Sequence, residues 1–277
     1  MPRTNRSHPA LFPLGAGAAM LCGVLVGCEA MPGARSDVTT IFAVINPTTP
    51  QEAAMMAVDP FNADNRQQGL LMLANAPWGG EQVYLDLYRS AIQDDDNGVR
   101  MSAVKALALH GGPEDVPRIL PFLNSEDRIL RLEATRALER LHNPIAIVPL
   151  IERMDRRRER EADVRASAAT ALGQYANSRV LDALIGTLDD ENLRVNLAAE
   201  RSLRLLTGQT DHGLDVASWV SWTRSVDDPF AERQPFLYPV FRRDRNFIEI
   251  VLPFIQPPNE IAAAPAGMPP IDSRRTN

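Results

Sequence analysis

Apolar residues recur at i, i+4, i+7 and i+8 in three stretches of the chain. They are Val99, Ala103, Ala106 and Leu107, then Leu130, Ala134, Ala137 and Leu138, then Val164, Ala168, Ala171 and Leu172. That spacing lines one face of an α-helix. A second apolar set follows each stretch: Val116, Leu120 and Leu123, then Ile147, Ile151 and Met154, then Leu181, Ile185 and Leu188. Gly111-Gly112-Pro113, Asn143-Pro144 and Asn177-Ser178 separate the two sets and are breakers and caps. Each unit is therefore expected to be a helix pair, with small alanines that allow close helix approach. Pro117, Pro121 and Pro149 fall inside second helices and predict bends there.

The pattern fades at both ends. Residues 64–92 form a looser first unit, with Arg66, Gly69, Met72 and Leu73 in the places of Arg100, Ala103, Ala106 and Leu107. Thr49-Pro50-Gln51-Glu52 before it carries the signature of a capped helix start. A fifth unit holds Val195, Ala199, Leu203 and Leu206, with Asn196 where an arginine is expected, and Gly208 predicts its helix end. Trp219 and Trp222 lie on one side of the closing helix; they read as a cap on the last apolar face, with a ligand-stacking site as the alternative. From Asp227 prolines forbid long helices. Phe236 to Phe241 and Phe247 to Phe254 are expected to be extended, either wrapping back on the array or binding a partner. Disorder is expected beyond Gln256.

Arg66, Arg100, Arg131, Arg165 and Asn196 are spaced by 34, 31, 34 and 31 residues. A two-helix unit at this period means an α-solenoid, in which stacking supplies the core that no unit has alone. The motif Asp-x-x-Val-Arg-x-x-Ala-x-x-Ala-Leu resembles the HEAT repeat, in the bacterial form related to phycobilisome-lyase HEAT-like proteins, over residues 50–226. The resemblance implies an all-α, right-handed α-α superhelix of HEAT/armadillo type with about five repeats. It also implies that the arginines bond to aspartates or carbonyls between repeats, for which Asp95, Asp96, Asp127 and Asp163 stand nearby. A row that grips an anionic ligand is the alternative. Because the arginines recur in register, ligand recognition is expected on the second helices or the tail, where the units differ.

The N-terminus has its own grammar. Arg3 and Arg6 precede an apolar run from Ala10 to Val26, too short for a spanning helix and suited to a signal peptide. It ends in Leu25-Val26-Gly27-Cys28, which resembles the lipobox of bacterial lipoproteins. The resemblance implies cleavage before Cys28 and lipid attachment to it; several acyl chains would hold the protein durably at a membrane. The expected organisation is a signal peptide at 1–27, a tether at 28–48, the solenoid at 49–226 and an extended or disordered tail at 227–277. Within the tether, Ile41 to Ile45 is apolar and open to docking on the first helices. Cys22 would leave with the signal, so the mature chain keeps no free thiol for a disulfide, metal or nucleophile.

Composition adds exclusions. The chain has 277 residues, is 45% hydrophobic but 6% aromatic, and carries a net charge of −6. That balance argues against nucleic acid as partner. Among HEAT relatives, deoxyhypusine hydroxylases bind iron through His-Glu pairs. Here His110, His142 and His212 precede Gly111, Asn143 and Gly213, so those pairs are missing. Bilin lyases need a chromophore pocket and another compartment. Asp94 to Gly98 fails the calcium-loop register, since Gln93 and Val104 occupy positions one and twelve. The mixed run Arg156 to Glu161 reads as a solvated linker rather than an anion site. Serine-nucleophile, Walker and dinucleotide motifs are absent. The expectation is a non-enzymatic interaction scaffold, exported and lipid-anchored to the cell membrane or outer membrane, with an envelope protein as partner. No cofactor, metal or small-molecule substrate is expected beyond the lipid on Cys28. The alternative is a lyase- or hydroxylase-like enzyme or cofactor carrier.

Overall fold

A computed structural model describes residues 49–241 and 260–269; the signal segment, Cys28, the tether with its Ile41–Ile45 piece, and residues 242–259 and 270–277 lie outside them. Eleven helices are present among the described residues: α1 Pro50–Ala57, α2 Ala63–Asn75, α3 Gln82–Ala91, α4 Asn97–His110, α5 Val116–Ile119, α6 Arg128–Arg140, α7 Ile147–Met154, α8 Ala162–Leu172, α9 Ser178–Thr187, α10 Leu193–Thr207 and α11 Val216–Ser225. Thr49 and Glu52 close the capping box at α1. Asn62, Asp96, Asp127, Asn177, Asn192 and Asp215 each accept a hydrogen bond from the first turn of the helix they precede. A cap of this kind contributes about 1 kcal/mol. Gly208 ends α10 at φ 74°, where glycine alone is comfortable.

The five units form an α-solenoid. First helices α2, α4, α6, α8 and α10 pack in one row, and the second element of each of the first four units rests on the first helix of the next. The alanines explain the row: Ala103, Ala106, Ala134, Ala137, Ala168, Ala171 and Ala199 are all fully buried between neighbours. One apolar core runs from Ala53 to Trp219 without a break between units. Gly69 shows why the first unit fits the motif loosely. A Cβ there would lie 2.3 Å from the Ala57 nitrogen and 2.6 Å from the Ala53 carbonyl, because α1 crosses closer than any repeat helix does.

The prolines act unequally. In the second unit, Pro117 and Pro121 reduce the second helix to the single turn α5 between 3-10 turns at Pro113–Asp115 and Leu120–Asn124. Pro149 sits in the first turn of α7, where its missing N–H has no helical partner to lose, and the helix continues.

The tail departs from the expected disorder. Past α11, the Gln234 N–H donates to the Leu205 carbonyl at 2.7 Å, and Phe236 is buried. Strands β1 (Tyr238–Phe241) and β2 (Glu260–Ala263) then pair antiparallel. Beyond them the chain docks on the array: Ala266 N–H donates to Arg140 O, and His142 N–H donates to Ala266 O, both at 2.8 Å. The disorder expected beyond Gln256 is thus corrected for residues 260–269, because the extended turn after α6 offers free backbone groups that an extended segment can pair.

Candidate functional site

Three of the four arginines share one geometry. Arg66 holds Asp94 through Nε and Nη2 at 2.8 and 2.9 Å, Arg131 holds Glu159 at 2.7 and 3.0 Å, and Arg165 holds Asp190 at 2.9 Å twice. Nη1 meanwhile donates to carbonyls of the preceding turn: Asp59, then Ser125 and Glu126, then Glu159 and Arg160. Each guanidinium thus clamps the turn before its own unit to the turn after it. Hydrogen bonds from Arg66 hold the Asp94 carboxyl below the usual carboxylate range. At Glu159 and Asp190 burial pushes the carboxyl up, and the bonds from Arg131 and Arg165 outweigh it, so both also sit below that range.

The carbonyl partners match the expectation; the aspartates do not. Asp96 and Asp127 are helix caps, Asp163 pairs with Arg128, and Asp95 is exposed. The clamping acids stand six residues before the next unit's arginine position: Asp94 before Arg100, Glu159 before Arg165, Asp190 before Asn196. The same side chains accept the backbone N–H two residues onward, at 2.9, 3.0 and 2.8 Å. In the remaining turn that position is Ser125, which accepts from Asp127 N–H at 3.2 Å but carries no charge. The six-residue spacing was visible in the sequence, and Glu159 belongs to it although its run of mixed charges looked solvated. Glu159 is in fact 2% exposed.

The histidines serve as ties. His110 Nε2 bonds the Ala74 carbonyl at 2.6 Å and so donates, joining the ends of α4 and α2. His142 Nδ1 meets Gln174 Oε1 at 3.0 Å, and its ring stacks on Tyr175 at 4.8 Å. Burial lowers the His142 pKa, only partly offset by Gln174. His212 lies 4.7 Å from the Trp219 ring and 5.8 Å from Trp222, with Nδ1 on Ser218 Oγ. Trp219 is fully buried and donates Nε1–H to Gly213 O. That matches the capping role: the last unit has no successor, and these rings cover its face. Among the described residues, no group of three or more His, Cys, Asp or Glu side chains is placed to hold a metal.

The surface offers two recesses. One, of about 390 Å³, lies between α7 and α9 and is lined by Ile151, Met154, Arg156, Arg157 and Gly186. The other, of about 470 Å³, crosses α2, α4 and α6 on the first-helix row. Leu71, Ala108, Leu109 and Ala137 form its apolar floor, with Lys105, Arg136 and Arg140 around it. Glu133 is engaged there by Arg136 at 2.8 Å and by Lys105 at 4.0 Å. The Arg140 guanidinium lies 5.2 Å beneath the Tyr238 ring. The larger recess therefore sits on the conserved-looking helix face of the repeats, not on the second helices where variety of sequence pointed.

HEAT repeats are identified in this chain. The family model for HEAT repeats matches residues 55–139 and 85–162, and that for the PBS lyase HEAT-like repeat matches residues 164–190. Among solved structures, the chain is similar to a designed armadillo repeat protein at TM-score 0.47 and 16% identity, covering 67% of this chain and 95% of that one. An engineered protein is similar at TM-score 0.46 and 20% identity, with 65% and 93% covered. Computationally designed armadillo repeat proteins for modular peptide recognition give 0.45 and 16%, with 67% and 95% covered. No curated protein matches.

Proposed function

We propose that this protein is a lipid-anchored, non-enzymatic scaffold of the bacterial cell envelope that holds a protein partner on its repeat array. The observation that carries the reading is the recess on α2, α4 and α6, built from three successive repeats, with an apolar floor and a cationic rim. A partner that presents an extended segment with small apolar and acidic side chains fits it: the floor excludes water, and Lys105, Arg136 and Arg140 select charge. The lipobox at Leu25 to Cys28 supports the anchor and the export.

Affinity capture with gentle crosslinking from envelope extracts tests the scaffold, and is expected to return one reproducible protein that Arg136→Glu weakens. Capture of nothing, or stoichiometric metal or a coloured ligand in the purified protein, overturns it. Cys28→Ser tests the anchor separately. It is expected to release the protein from membranes or to leave an unprocessed precursor, and unchanged mass and fractionation refute the lipid.

A further inference from the structure

The row of clamps has one gap, and the tail lands on it. Arg100 keeps the inward half of the pattern: Nη1 donates to Asp94 O at 2.7 Å and Asp95 O at 3.3 Å, and Nη2 donates to Asn97 Oδ1. Its outward acid is missing, because Ser125 holds the position that Asp94, Glu159 and Asp190 hold elsewhere. Among the described residues, Lys105 with Glu133 at 4.0 Å is the one ion pair that crosses from the second unit to the third, and Lys105 is 40% exposed. Such a pair contributes little.

Residues 264–268 bridge this same junction. Ala266 pairs on both sides of Leu141 in the third unit, through Arg140 O and His142 N. Gly267 faces the second unit: a Cβ there would lie 2.1 Å from Pro113 Cγ and 3.2 Å from His142 O, and its φ is 81°. Pro265 is buried beside it. Arg140 belongs to both features, since its carbonyl takes the Ala266 N–H while its side chain lines the recess.

We propose that residues 264–268 are a built-in strap, which holds the second and third units together where the arginine clamp lacks its acid. The strap thereby sets the shape of the recess between α4 and α6. Its link to partner binding rests on the function proposed above; the strap itself does not. Residues 260–269 return to this junction from β1, which starts after the fifth unit, so the C-terminal part of the chain reports on the middle of the array.

The test uses the full-length chain with no partner present, so its outcome is independent of any capture. Gly267→Val adds both a collision and a disfavoured φ, and Ala266→Pro removes one donor without touching Pro113. Either variant is expected to speed hydrogen exchange at the His142 amide and at the facing parts of α4 and α6 roughly tenfold, the loss of one or two hydrogen bonds. Exchange in α10 should not change. Ser125→Glu supplies the missing carboxylate and is expected to restore protection in the Gly267→Val background by more than it adds to the wild type. Unchanged exchange in α4 and α6 for both strap variants overturns the proposal. Strictly additive effects of Ser125→Glu and Gly267→Val overturn it as well, because two devices on one junction must interact.

Discussion

The Arg165 guanidinium, 1% exposed, meets the Asp190 carboxylate, 4% exposed, through two hydrogen bonds of 2.9 Å. It is the most buried of the three clamps; Arg66 and Asp94 are 20% and 16% exposed. Removing one partner of a buried pair strands the other charge. Arg165→Leu is therefore expected to cost about 3–5 kcal/mol. Arg66→Leu, whose partner can rehydrate, should cost only about 1 kcal/mol. Urea unfolding at neutral pH, read beside hydrogen exchange in α8 and α10, checks the ranking.

Acid should loosen the array in two stages. Asp94, Glu159 and Asp190 have folded pKa values below their ordinary ones, so the stability they add is complete above the usual carboxylate range and is lost as pH falls through it, from about pH 4 downward. Burial likewise lowers the His142 pKa, so its contribution is complete above about pH 6.5 and declines as pH falls toward the folded value. Thermal midpoints should show a shallow decline below neutrality, absent in His142→Gln, and a steep one near pH 4 that this variant keeps. A flat profile down to pH 4.5 in the parent chain contradicts the His142 assignment.

Trp219→Ala should remove the cap of the last unit. Large-to-small changes of a buried aromatic cost roughly 3–5 kcal/mol, and a solenoid confines much of that loss to neighbours. Exchange should rise in α10 and α11 and stay unchanged in α2. Uniform destabilisation along the array would mean that the units are more strongly coupled than their packing implies.

Gly69→Val should push α1 off the array, because backbone atoms of Ala53 and Ala57 occupy the space a side chain needs. Limited proteolysis is expected to cut between α1 and α2 in the variant before any other site. An intact α1 would show that α2 can shift by more than an ångström to accommodate it.

Charge reversal around the recess should spare the fold. Lys105→Glu with Arg136→Glu is expected to weaken the captured partner about tenfold or more while moving the thermal midpoint by only a few degrees, since both side chains are partly exposed. Equal capture by the double variant would remove this face as the docking surface.

Much of the fold was legible because helix faces repeat. Val99, Ala103 and Leu107 announce a buried stripe at any point where they recur, and Thr49 and Gly208 mark ends through their own local chemistry. The clamp acids were less visible. Asp95, Asp96, Asp127 and Asp163 stand nearer the arginines in sequence, yet a guanidinium reaches across to the next turn, where Asp94, Glu159 and Asp190 wait 25 to 28 residues away. The recess was invisible for a related reason. It is made by the outward residues of α2, α4 and α6 together, and no single helix carries a signature of it.

The sequence by itself determined the helix pairs, their order, the capped ends and the unit length, because these depend on periodicity and on side chains close along the chain. Tertiary structure alone decided which acid each arginine takes, where the recess opens, and that residues 264–268 return to Pro113 and His142. Those outcomes depend on the stacking angle between units and on backbone groups left free at a distant turn, quantities that no local pattern of residues encodes.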